Sequence, residues 1–246
     1  MTGHLKGFVA HVKELNEDIL VTHCFLHREA LVTKFLPSDL KIVLEQCVKM
    51  VNYIKSRPLK SRLFSKLCQA MEAKYESLLL HTEVRWLSRG KVISRVLKLK
   101  DEMKIFFEQN KNYEFVHLLE DKIWCTKLAY LSDIFVIFNN INSSMQGPNE
   151  NILKLVGFKK QITLWKNKAQ EGNLEKFESV RKDSYKTIKL IIVDHLTTLE
   201  ERIIHYFPKL DIKKFDWVRN PFLITYTSVF DLTLNEEEEL SFFAFQ

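Results

Sequence analysis

The sequence predicts a mainly α-helical protein, and three observations lead there. Glycine and proline are scarce, with 6 and 5 in 246 residues, so the chain contains few obligatory turns. Long stretches are rich in Leu, Lys, Glu and Ile, several of which are strong helix formers. Apolar residues also recur at three- and four-residue spacing through most of the chain, the period of a half-buried helix. Hydrophobic residues make up 46% and charged residues 28%, a globular composition that argues against disorder. About eight helices with little sheet are expected.

Taken in order, residues 3–16 read as a short amphipathic helix with Leu5, Phe8, Val9, Val12 and Leu15 at helical spacing. Ile19-Leu20-Val21-Thr22 is a short β-prone run. Helical spacing returns through Ala30, Leu31 and Phe35 and ends at Pro37. Ser38 has the chemistry of an N-cap and Asp39 suits the first turn of the next helix. Leu40, Val43, Cys47, Val51 and Ile54 form the inward stripe of that helix, and Pro58 interrupts it. A further helix places Leu63, Phe64, Leu67, Ala70 and Met71 inward. Residues 77–87 lose the helical period and read as an extended connector. Ser88 can then cap a long helix running to about residue 109, with Val92, Val96, Leu99, Met103 and Phe106 on its apolar face. Leu128, Leu131, Phe135, Phe138 and Ile141 mark another helix. After Gly147-Pro148, one more is marked by Ile152, Leu155, Val156, Ile162 and Trp165. A last long helix covers Tyr185 to Phe207 and stops at Pro208. Residues 211–221 read as loop, and 223–246 as an acidic tail expected to be disordered.

Several function classes are disfavoured. No window approaches the roughly 18 consecutive apolar residues of a membrane span, and Lys6, His11 and Lys13 interrupt any signal-peptide core, so an intracellular, soluble protein is expected. Cys24, Cys47, Cys68 and Cys125 form no CxxC pair and read as reduced core residues. There is no Gly-x-Ser-x-Gly, phosphate-binding glycine loop or His-Glu-x-x-His. No catalytic residue, cofactor, metal or small-molecule substrate is expected.

Charge is unevenly placed. The net +6 arises in residues 55–104, which hold 13 Lys/Arg against 5 Asp/Glu; residues 1–54 balance, and 105–246 are slightly acidic. Such a block is either the footprint of a polyanion site or an ordinary solvated surface. Within it lies Thr82-Glu83-Val84-Arg85-Trp86-Leu87-Ser88-Arg89, where an arginine could hold phosphate and a tryptophan could stack on an unpaired base. The plainer alternative is a buried tryptophan with Arg85 paired to Glu83 or a helix end. Cys24 and His27 have metal-ligand chemistry, but a structural zinc site needs four ligands, and packing at a strand end fits better.

Read together, these segments resemble the vertebrate and arthropod proteins descended from hAT transposases of the Charlie/Buster kind, including zinc-finger BED-domain, SCAN-domain and general transcription factor II-I repeat relatives. The resemblance is carried by Met1-Thr2-Gly3 with Gly7-Phe8, Cys24-Phe25-Leu26-His27, and His81 through Lys91 with its Arg85-Trp86 core. Leu164-Trp165, Tyr206-Phe207-Pro208 and Phe215 through Phe222 continue it. It implies a partial RNase H-like core edge of one or two strands over 1–36, then an all-helical insertion domain over 37–222. It further implies that the three metal-binding carboxylates of the transposase family and its BED finger lie outside this sequence, so no enzyme is expected. Cys24 and His27 would sit near that missing active site. Arg85, Trp86, Arg89 and Lys91 would contact DNA. The expected function is a non-catalytic fragment of a domesticated or relic transposase with weak, sequence-tolerant DNA binding. The alternative is a helical module for protein partners or self-association, or a relic without a selected role. The resemblance favours the nucleus over the cytoplasm.

Overall fold

Leu40, Val43, Leu44, Cys47, Met50, Val51 and Ile54 recur at helical spacing and are all buried, so this segment folds as one amphipathic helix, α1 (Ser38–Lys55). The structure is a computed structural model that describes residues 11, 14–15, 36–79, 86–144, 152–181 and 183–206. Seven more helices follow among the described residues: α2 (Pro58–Ala70), α3 (Trp86–Lys98), α4 (Lys100–Gln109), α5 (Tyr113–Glu120), α6 (Lys122–Ser144), α7 (Ile152–Gln170) and α8 (Tyr185–Tyr206). No strand occurs among the described residues. The strand expected at 19–22, the Cys24/His27 motif and the tail after 206 lie outside them, as does most of the expected helix over 3–16.

Helix α6 is the axis of the bundle. It packs on α3 most extensively and also on α1, α5 and α8, while α7 pairs with α8, and α2 and α5 flank α4. Two aromatic groups fill the interior with edge-on contacts. Tyr53, Phe64, Phe106, Phe107 and Phe115 join α1, α2, α4 and α5. Phe135, Phe138, Phe158, Trp165, Phe177 and Tyr130 form a chain from α6 across α7 to the loop before α8. Edge-to-face geometry adds to area burial in both. Polar ties fix α1 on α6: Trp124 Nε1 donates to Gln46 Oε1 at 2.7 Å, and Lys127 Nζ reaches Asp39 at 2.7 Å.

The structure corrects several expectations. Pro37, not Ser38, is the N-cap of α1; its carbonyl accepts from the Leu40 and Lys41 amides, and no side chain caps the helix. In α2 the buried residues are Phe64 and Cys68, whereas Leu63 and Ala70 face solvent, because Phe64 packs edge-on against Phe106 and thereby sets the helix phase. The helix predicted from Ser88 to residue 109 starts at Trp86 and breaks at Leu99 (φ −110°, ψ 23°) into α3 and α4, although all five predicted core residues are buried. Helix α5 is an addition to the expected elements, although Phe115, Val116 and Leu119, its buried residues, stand at helical spacing. Helices α2, α4 and α7 share one ending, a residue with positive φ (Glu72, Lys111, Gly172) followed by an amide that bonds back five residues.

Candidate nucleic-acid interface

The basic block becomes a surface through the way α3 is held. Gly90, Val92, Ile93 and Val96 are buried, and Ser94 Oγ lies 2.9 Å from Ser132 Oγ of α6. At Gly90 the two helices touch: a Cβ there would stand 2.6 Å from Asn139 Nδ2 and 3.0 Å from Phe135 Cβ. A helix pressed to α6 along this line must turn the opposite stripe outward. Lys91, Arg95 and Lys98 occupy that stripe, at i, i+4 and i+7.

These three cations do different work. Arg95 is spent internally: its guanidinium stacks 3.7 Å over the Tyr75 ring and Nη1 donates to the Ser77 carbonyl at 2.7 Å. It thus clips the connector after α2 onto α3, with Leu78 buried beside it. Lys98 is exposed, with Nζ 3.5 Å from the Tyr75 hydroxyl. Lys91 is exposed, and neither it nor Lys98 meets a carboxylate among the described residues. Elsewhere in the block, Lys60 sits 3.2 Å over the Tyr53 ring, and Lys104 pairs with Glu120 at 2.7 Å, which holds the Lys104 ammonium above and the Glu120 carboxyl below their usual ranges. Arg57, Arg62, Lys66 and Lys74 are exposed.

Of the residues expected to touch DNA, Lys91 is the one whose side chain the structure describes, and it is solvent-facing. Trp86 and Arg89 lie in the first turn of α3; Arg85, Cys24 and His27 lie outside the described residues. The sequence alone singles out neither Lys98 nor the Arg95–Tyr75 clip. The spacing of Lys91, Arg95 and Lys98 could have revealed the stripe, but a stack on a residue twenty positions away leaves no local trace.

No group of three or more His, Cys, Asp or Glu is placed to hold a metal among the described residues. Burial raises the Cys47 thiol far above its usual range, with Cys125 adding to the effect; burial, then Glu102, raises Cys68 to about 11. Neither is a nucleophile at neutral pH. No helix of the described residues is long and apolar enough to cross a membrane.

Against known families, residues 23–170 match the FAM200/GTF2IRD2 helical domain, a span that includes α1 through α7. The chain belongs to this family. The FAM200/GTF2IRD2-like stretch therefore contains the whole α3–α6 contact and the Arg85-Trp86 segment, while α8 lies beyond the matched span. The general transcription factor II-I repeat domain-containing protein 2 of Bos taurus is 29% identical over 181 residues, covering 72% of this chain. The chain spans 18% of that relative's length. No solved structure matches.

Proposed function

We propose that this FAM200/GTF2IRD2-like domain is a non-catalytic, transposase-derived helical module of the nucleus that holds DNA without reading its sequence. The observation that carries this reading is the outward stripe of α3. Lys91 and Lys98 stand solvent-exposed, without carboxylate partners among the described residues, directly after the Arg85-Trp86 pair. Seven residues of helix separate them by about 10 Å along the axis, roughly three base steps of a stacked strand. They can neutralise phosphates of one strand while Arg85 takes another bidentately and Trp86 stacks on an unpaired base. The positive end of the α3 dipole adds to the field at that segment. None of these contacts reads a base edge, so affinity would be sequence-tolerant and strongly salt-dependent.

The resemblance to hAT transposases supports the origin, and the relative named for a transcription factor repeat supports the nucleus. The proposal also holds that the domain does no metal-dependent chemistry; cleavage of DNA by the purified chain in Mg²⁺ or Mn²⁺ would overturn that part. The binding part is tested by equilibrium titration of the full chain with labelled oligonucleotides. Arg85→Ala with Trp86→Ala should weaken binding about tenfold or more, and undetectable binding at low salt would refute it.

A further inference from the structure

We propose that the outer face of α2 is a docking site for an acidic amphipathic helix of a protein partner. Two faces of α2 are apolar. The inner one, Phe64 and Cys68, is buried in the bundle. The outer one carries Leu59 and Leu63, one turn apart and 63% and 49% exposed. Arg62 and Lys66 are exposed on the same stripe, each three residues after one of these leucines, and Arg57 is exposed just before the helix. A single exposed leucine is ordinary. Two on successive turns, at i and i+4 with cations at i+3 and i+7, form a short apolar ridge edged by charge of one sign, a surface on which the apolar face of another helix can pack.

Charge identifies the occupant. Helix α2 contains Lys60, Arg62 and Lys66 and no Asp or Glu. Among the described residues, Arg57, Arg62 and Lys66 meet no carboxylate, so the face lacks the alternating charges that a merely solvated helix carries. An incoming helix with Leu-type residues in its seam and Glu or Asp beside them would bury Leu59 and Leu63 and pair Arg62 and Lys66, as flanking charges do in helix pairs. A nucleic acid would satisfy the cations and leave the leucines in water. A membrane surface would gain little from only two leucines.

The test uses the full chain and three labelled synthetic helices. One has leucine at i, i+4 and i+7 flanked by glutamate, the second has every glutamate replaced by lysine, and the third has every leucine replaced by serine. The first should bind about tenfold or more tightly than the others. Leu59→Ser with Leu63→Ser, both on the surface, should abolish that preference without lowering the melting temperature. Arg62→Glu with Lys66→Glu should reverse it, so that the lysine peptide now binds better, a gain that misfolding cannot mimic. Equal binding of the glutamate and lysine peptides, or binding that ignores both variants, overturns the proposal. So does a result in which the variants lose single-stranded DNA or phosphatidylserine vesicles and not the peptide. Arg85→Ala with Trp86→Ala should leave peptide binding intact, which separates this surface from the proposed DNA contact.

Discussion

At Gly90 the backbone of α3 lies so close to α6 that any side chain would collide with Phe135 and Asn139. Alanine there would add about 1 kcal/mol of helix propensity, yet its Cβ must displace the Asn139 amide and crowd Phe135 Cβ, at about 1–3 kcal/mol for an overpacked contact. The overlap should win. Gly90→Ala should lower stability in urea unfolding by about 1 kcal/mol, and an unchanged or raised midpoint would show that α3 yields freely. A second sensitive residue is His195, fully buried, with Nδ1 2.9 Å from the Tyr130 hydroxyl and Nε2 without a hydrogen-bond partner among the described residues. Burial lowers its pKa to about 3. The unfolded chain therefore takes up this proton first. The stability contributed by keeping His195 neutral is complete above about pH 6.5 and is lost as pH falls toward 3. The slope should approach about 1.4 kcal/mol per pH unit below that point. His195→Gln, which cannot charge, should flatten it; an equally steep decline in the variant would assign the acid sensitivity elsewhere.

At the scale of elements, acid should act first on α8. His195 lies on this helix, and so does Glu200, which accepts from Thr163 and Lys166 of α7. Burial raises the Glu200 pKa, but those two partners outweigh it, and the carboxyl ends below its usual range. That contribution is present above about pH 4.5 and fades below it, the same direction as for His195. Asp133 on α6 acts oppositely, since burial raises its carboxyl despite two hydrogen bonds from Ser179. Hydrogen exchange at pH 5 against pH 7, corrected for intrinsic rates, should show protection lost at α8 amides before those of α3. Uniform loss would mean that α8 does not open separately. The elements also show what sequence can reveal. The α1 stripe was readable because a single unbroken row of apolar residues is buried and no second row competes with it. In α2 two rows compete, Leu59–Leu63 and Phe64–Cys68, and Phe106, 42 residues beyond Phe64, decides between them. The break at Leu99 left no sign because Val92, Val96, Leu99, Met103 and Phe106 keep helical spacing through it and no glycine or proline marks it. The candidate site divides similarly: the outward lysine at 91 was foreseeable from the basic segment, whereas the role of Arg95 depends on Tyr75 being folded beneath it.

For the whole molecule, the proposed function requires that a helical bundle organised around α6 present the basic edge of α3 to DNA without reading its sequence. The positive charge of residues 55–104 is reduced in effect by internal uses, since Arg95, Lys60 and Lys104 are engaged within the fold. On α3, Lys91 and Lys98 remain exposed without a carboxylate partner among the described residues, so the expected affinity is weak and the salt dependence measurable. Substituting Lys91→Ala and Lys98→Ala together should reduce the slope of log K against log salt by about 1.4 on single strands, 0.7 per lost phosphate contact. The most direct measurement is a salt titration of binding by the full chain to two single-stranded oligonucleotides of unrelated sequence, repeated with Arg85→Ala/Trp86→Ala. The two sequences should bind with near-equal affinity, binding should fall steeply with salt, and the variant should lose about tenfold or more. Affinity that ignores salt, or is the same with and without Arg85 and Trp86, would contradict the proposed function.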